Sequence, residues 1–222
     1  MDTVTNETLP KAKRTFYTVV VKRLLDILLS GAAILVLSPL LLLLAVLELI
    51  FHGWPIVFTQ ERPGLHGKLF YIYKFRSMTN ETDENGELLP GERRLTPLGR
   101  FLRRFSLDEL PELFCILTGK MSIIGPRPLL PKYLPLYTKR HSMRHEVRPG
   151  LACEPLKPLK TWSWNDQFET DVWYVENCGF VTDVRILFAV AKEALLGSPY
   201  RVNDTREEFN GKNLFADAKE EK

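Results

Sequence analysis

The chain has 222 residues, enough for one moderate domain or for a small domain plus a membrane element. Its charge is nearly balanced at +3, which gives no electrostatic footprint for a nucleic-acid partner. Cys115, Cys153 and Cys178 are odd in number and far apart, so they match no zinc spacing and read as reduced thiols facing a cytoplasm.

Residues 1–21 are polar and then basic, with Lys11, Lys13 and Arg14, and read as a segment lying loose or along a bilayer surface. Residues 22–51 form the membrane element, opened by Lys22 and Arg23, which are placed to reach lipid phosphates by snorkelling. From Ile27 to Leu47 a run of 21 residues carries no charge. As a helix it would extend roughly 31 Å, about the hydrocarbon thickness of a bilayer. It is too long for a cleavable signal peptide, and no small-residue cleavage site follows. Ser38-Pro39 interrupts the run, and proline there removes a hydrogen bond and kinks a helix. Two topologies follow: a kinked span that puts residues 52–222 opposite the N-terminus, or a re-entrant hairpin that returns both ends to one face. Basic residues flank both sides, with Arg62, Lys68, Lys74 and Arg76 after the run, and the following part looks cytoplasmic by its thiols. A helix that breaks and returns satisfies both demands, and Asp26 and Glu48 then sit at one interface.

Residues 52–197 read as a catalytic domain. Pro55 to Gln60 and Lys68 to Lys74 have the composition of short strands, and Pro63-Gly64 between them occupies the positions a type II turn wants. Arg-Pro-Gly-Leu returns at 148–151 and reads as the same turn chemistry used twice. Residues 79–99 form a polar loop whose Asp83-Glu84-Asn85-Gly86 lacks the spacing and bidentate glutamate of a calcium loop.

The densest chemistry runs from Ser106 to Pro128. A helix start is expected at Ser106 to Pro111, capped either by Ser106 in a capping box with Glu109 or by Asp108, which places Pro111 inside the first turn. Either register leaves Asp108 and Glu109 at a turn whose unpaired amides attract anions. Two carboxylates there suit a divalent metal, or one suits attack on phosphorus; an ordinary capped surface helix has the same sequence. The helix should run from Leu110 to Leu117 and end at Gly119. Trp164, Phe168, Val172 and Val175 recur at helical spacing, and Thr182-Asp183 should cap a last helix through Leu196, stopped by Gly197 and Pro199. These amphipathic helices suit the bilayer interface, the small core, or a homo-oligomer contact. Residues 198–222 read as a polar, poorly ordered tail. The expected fold class is mainly α with a short β-hairpin: a re-entrant helix-break-helix plus a small cytoplasmic catalytic domain with interfacial amphipathic helices.

Taken together, Lys22-Arg23-Leu24-Leu25-Asp26, Ser38-Pro39, Gln60 to Gly64, Tyr73 to Met78, Ser106 to Pro111, Gly125-Pro126-Arg127-Pro128 and Arg148-Pro149-Gly150 resemble the bacterial sugar transferase family, the monotopic polyprenyl-phosphate phosphoglycosyl transferases. Order and spacing from Lys22 to Leu196 carry the resemblance, which is nearest to the enzymes that begin bacterial N-linked or surface-glycan assembly. It implies transfer of a sugar phosphate from a UDP-sugar to undecaprenyl phosphate, releasing UMP, at the cytoplasmic face of a bacterial inner membrane among its phospholipids. It also implies that Ser38 and Pro39 make the helix re-entrant. The family's dyad falls on Asp108, as nucleophile of a ping-pong cycle, and Glu109; the resemblance implies that these two also hold magnesium (Mg2+).

Arg127 is the first candidate for substrate phosphate, because guanidinium binds phosphate oxygens in a fork and flanking prolines fix its direction. Lys74 and Arg76 are next, against the plainer reading of a basic strip facing anionic lipid. Arg148 is placed to close the site. One departure stands out: residues 151–161 do not follow the family's usual loop, and Lys160 stands where that loop has an arginine, keeping the charge without the fork. The altered loop keeps a rival in view, a membrane-anchored scaffold of a glycan assembly pathway. A second rival is a hydrolase cutting UDP-sugars.

Overall fold

The computed structural model describes residues 12–153, 163–196 and 207–215, and every statement below concerns those residues. A π-helical turn, Tyr17–Val21, runs directly into α1, Lys22–His52, so the helix starts five residues earlier than expected. The helix passes unbroken through Ser38-Pro39. Pro39 has no N–H for the Leu35 carbonyl, and the Ser38 hydroxyl donates to that carbonyl at 2.8 Å instead. The expected helix-break-helix is therefore one helix with a substituted hydrogen bond at its middle.

Asp26, Ser30, Leu44 and Glu48 fall on one side of α1 and are buried, while Leu28, Leu35, Val36 and Leu42 stand exposed on the others. This helix is long and apolar enough to cross a membrane, and with so little of it covered by protein it presents a surface suited to lipid. Its inward side is docked by polar contacts. The Asp26 carboxylate accepts from the Ile123 amide (2.9 Å) and the Ser122 hydroxyl (3.1 Å), and Arg23 donates to the carbonyls of Ile116 and Leu117 (2.7 and 2.8 Å).

Strands β1, Val57–Pro63, and β2, Leu69–Phe75, form the expected antiparallel hairpin, in register from Val57 opposite Phe75 to Pro63 opposite Leu69. Its turn differs from the expected type II. Gly64 has φ −105°, whereas His66 (φ 55°) and Gly67 (φ 71°) are both left-handed and Lys68 N–H closes on the Leu65 carbonyl. The connection is closed by these two left-handed residues and by the Gly67 amide on the Gly64 carbonyl, and not by Pro63-Gly64.

The expected polar loop over 79–99 is shorter than its composition suggested, because helix α2, Gly91–Arg94, and the start of helix α3, Pro97–Arg104, fall within it; Thr96 caps α3 by accepting from the Gly99 amide. Gly99 has to be glycine, because a Cβ there would lie 1.9 Å from the Ser77 carbonyl oxygen. Next come a 3₁₀ turn, Leu107–Glu109, and α4, Glu112–Leu117, ended by Gly119 at φ 83°. Strand β3, Ser122–Ile124, pairs in parallel with β4, Gly150–Ala152. The second Arg-Pro-Gly-Leu thus opens a strand and is not a repeat of the first turn. Helix α5, Lys139–Ser142, lies between these strands; α6, Trp164–Asn177, and α7, Phe180–Leu196, follow.

Trp164, Phe168, Val172 and Val175 are all buried, so the aromatic face of α6 packs the core and not the bilayer. Helix α7 begins before the expected Thr182-Asp183 cap. Asp183 instead accepts from the Tyr17 and Tyr174 hydroxyls (both 2.7 Å) and pairs with Lys22 (2.6 Å), tying α7 to the start of α1. Part of the expected tail is also ordered: Phe209 is buried among Tyr133, Trp164 and Phe168. Gly197 and Pro199 lie outside the described residues.

Candidate active site

The dyad's backbone does not form the expected capped helix start. Ser106 sits at φ 54° and makes no side-chain cap, and the Glu109 amide bonds to the Ser106 carbonyl. Pro111 takes the position before α4, where its missing N–H costs nothing. The left-handed kink at Ser106 turns the chain away from α3 and rolls Asp108 inward, where it is 9% exposed. Leu107 and Leu110 hold the turn by packing on Leu44, Phe75 and Leu102.

Glu109 is the hub. Lys74, from β2, and Arg127, from the turn after β3, each reach its Oε1 at 2.7 Å. Lys74 also lies 3.2 Å from Glu112, which is 4% exposed. Burial works to raise the Glu109 pKa, but Arg127 and Lys74 outweigh it and hold the carboxyl at about 2. Asp108 behaves in the opposite way: burial and then the charge of Glu109 push its carboxyl above the usual range, with Lys74 and Arg103 pulling down. Glu112 is likewise raised, chiefly by burial. The result is two adjacent carboxylates with opposed proton affinities under a half-exposed guanidinium, since the Arg127 side chain is 48% open.

Arg127 is aimed by two turns pressed together. A Cβ on Gly125 would lie 2.4 Å from the Arg148 carbonyl oxygen, and one on Gly150 would lie 2.1 Å from the Gly125 nitrogen. The Gly150 amide donates to the Pro126 carbonyl at 2.9 Å, locking the turn that carries Arg127.

The structure thus gathers Asp108, Glu109, Lys74 and Arg127. Of the other expected phosphate ligands, Arg76 and Arg148 make backbone contacts. Arg76 donates to the carbonyls of His52 and Pro55 and caps the end of α1. Arg148 donates through Nε to the Gly119 carbonyl at 2.9 Å, behind α4. Lys160 lies outside the described residues.

Glu112 and Arg62 were not singled out by sequence. Glu112 had a usable signal, three residues after Glu109 and on the same helical side. Arg62 had none, sitting in a strand where burial and the nearby charge of Arg127 push its guanidinium below its ordinary value.

For magnesium, the donor chemistry fits. Asp108 makes no ion pair among the described residues, and both cations on Glu109 share Oε1. That arrangement offers hard carboxylate oxygens from two residues. No set of three or more ligating side chains converges among the described residues, but magnesium is ordinarily held by one or two carboxylates together with substrate phosphates.

A family model described as bacterial sugar transferase matches residues 17–197. The chain is 43% identical over 195 residues to the "Uncharacterized sugar transferase EpsL" of Bacillus subtilis (strain 168), covering 86% of this chain and 96% of that one. It is 36% identical to the "UDP-glucose:undecaprenyl-phosphate glucose-1-phosphate transferase" of Xanthomonas campestris pv. campestris, with 82% of this chain matching 40% of that one. It is 34% identical to the "Undecaprenyl-phosphate galactose phosphotransferase" of Salmonella typhimurium, with 78% of this chain matching 40% of that one. The chain therefore spans about two fifths of these two relatives named for a reaction.

Proposed function

Because the chain belongs to the bacterial sugar transferase family, we propose that it transfers a sugar-1-phosphate from a UDP-sugar to undecaprenyl phosphate and releases UMP. The observation that carries this reading is the convergence of a buried Asp108, which makes no ion pair among the described residues, with a Glu109 held by Lys74 and Arg127. The relatives' names supply the substrate classes, a UDP-sugar and undecaprenyl phosphate.

In the first step an Asp108 oxygen bonds to the sugar-bearing phosphorus. The bridging P–O bond breaks, and its electron pair leaves with UMP. In the second, an oxygen of undecaprenyl phosphate attacks the same phosphorus. The aspartyl–phosphorus bond breaks, giving the lipid diphosphate sugar and a free carboxylate. Arg127, open to solvent, pairs with the incoming diphosphate, and its fork stabilises the charge that builds on the leaving phosphate. Lys74 keeps Glu109 ionised beside Asp108. Asp108 and Glu109 would hold magnesium together with the donor phosphates, and the ion would withdraw charge that otherwise repels the attacking carboxylate.

A re-entrant α1, continuous as a helix but bent at Pro39, fits this chemistry. With both ends at the cytoplasmic face, the site lies at headgroup level, where a lipid phosphate and a cytoplasmic UDP-sugar meet.

The test is UMP release by the purified protein with undecaprenyl phosphate, magnesium and a panel of UDP-sugars. Wild type should release UMP with at least one donor. Asp108→Asn should lose at least about 10³-fold, as expected when a nucleophile is removed. Wild type mixed with donor alone should gain the mass of one phosphosugar. Continued turnover without the lipid would point to a hydrolase. Folded, membrane-bound protein that releases nothing, and an Asp108→Asn variant that keeps its phenotype, would point to a scaffold.

A further inference from the structure

Behind Arg127 lies a side chain that neither motif nor charge pattern singles out. Arg144, in the short 3₁₀ helix Met143–Glu146, is 2% exposed. Its Nη2 donates to the Arg127 carbonyl at 2.6 Å, and the same nitrogen lies 2.8 Å from Asp171 Oδ2 of α6, itself 1% exposed. Its Nη1 donates to the Tyr137 hydroxyl at 2.9 Å, and the guanidinium lies over the rings of Tyr137 and Phe168.

We propose that Arg144, braced by Asp171, is a positioning residue for the transfer reaction, acting by gripping the Arg127 carbonyl and so holding the Arg127 guanidinium on Glu109. The inference rests on the proposed function for its catalytic readout.

Burying an ion pair costs desolvation that its Coulomb attraction only partly offsets, so fold stability alone gives little reason for one here. A planar fork between two rings gives direction instead. The guanidinium joins Asp171 on α6, through charge at 2.8 Å, to the Pro126-Arg127-Pro128 turn, and the prolines leave that turn few other backbone conformations. Gly150 fixes the turn from one side, through the Pro126 carbonyl, and Arg144 fixes it from the other, through the Arg127 carbonyl. Lysine at 144 would keep the charge facing Asp171 but not the geometry, because one ammonium cannot aim two rigid N–H groups at the Tyr137 hydroxyl and the Arg127 carbonyl.

The distinguishing experiment is a double-mutant cycle in UMP release, using Arg144→Lys, Arg127→Ala and the pair. Arg144→Lys should lower kcat/KM about tenfold and Arg127→Ala about 100-fold, and the double variant should lie within about twofold of Arg127→Ala. Losses that multiply to about 1000-fold would overturn the proposal, because Arg144 would then act independently of Arg127. An arm without activity keeps the inference testable if no donor is turned over. By hydrogen exchange, Arg144→Lys should speed amide exchange in the peptide spanning 122–130 and leave 107–117 unchanged. Unchanged exchange at 122–130, or equal acceleration everywhere, would overturn it. Failure of wild type to release UMP while that pattern holds would sink the proposed function alone.

Discussion

Asp108 and Glu109 are adjacent in the chain, yet their environments drive their proton affinities apart. Burial and the charge of Glu109 raise Asp108, and attack on phosphorus needs its carboxylate. The acid limb of kcat/KM should therefore lie above the ordinary aspartate value of about 4, with activity falling as pH drops through it. The groups that set this limb are Glu109, Lys74 and Arg103. A pH–rate profile with its acid limb at or below that ordinary value would mean that bound magnesium, and not burial, sets the Asp108 proton affinity in the active complex. Glu109 has the opposite sign. Its folded pKa of about 2 lies below its ordinary 4.5, so its stabilisation is present in full above the ordinary value and is lost as pH falls through about 2. The contribution is on the order of 2 kcal/mol, since Arg127 is half open and screened. Glu109→Gln should unfold at lower temperature than wild type at pH 7, and the two should converge near pH 2. At this scale, sequence was informative where short spacing carried the chemistry. The convergence of Glu109 with the arginine of the Pro-Arg-Pro turn was legible as a cluster of motifs. Arg76 and Arg148 donate to backbone carbonyls, a use that the residue letter alone does not distinguish from binding phosphate.

Helix α1 shows where element-level reading succeeded and where it stopped. The apolar run announced its length, but the hydrogen bond from Ser38 to Leu35 converts an expected break into a continuous helix. Ser38→Ala should leave the Leu35 carbonyl without a partner in an environment lacking water, costing about 1–2 kcal/mol. Adding Pro39→Ala returns an N–H to that carbonyl and should recover the loss; thermal unfolding in detergent reads both changes. Failure of the second substitution to rescue the first would mean that the Leu35 carbonyl is not what the serine satisfies. The re-entrant topology has its own test. An impermeant thiol reagent should modify Arg14→Cys and Lys212→Cys from the same face of the membrane, whereas labelling from opposite faces would establish a span. The β3–β4 pairing and the hairpin turn were not legible for a common reason. Three-residue strands have no readable period, and positive φ at His66 depends on the twist of strands already paired.

Across the whole molecule, the described C-terminal segment 207–215 closes the aromatic cluster that backs Arg144. Phe209 is 4% exposed and packs its ring against Tyr133, Phe168 and Trp164, while the Trp164 indole donates to the Glu207 carbonyl and the Asn165 amide to the Leu214 carbonyl. Phe209 in a polar stretch reads as tail, because its burial depends on a surface built from residues 133 to 168. Phe209→Ala should therefore cost about 3 kcal/mol of stability, the usual cost of emptying an aromatic site. Phe215→Ala should change stability by less than about 0.5 kcal/mol, because that ring is 73% exposed. The same substitution bears on catalysis. Phe168 touches both Phe209 and the Arg144 guanidinium, so removing the outer ring loosens the brace behind Arg127. Assayed well below its unfolding temperature, Phe209→Ala should lose kcat/KM several-fold, and combining it with Arg144→Lys should add little. A Phe209→Ala protein of unchanged stability would show that the segment is only laid against the domain. One that is destabilised but fully active would confine the cluster to folding and separate it from the Arg127 turn.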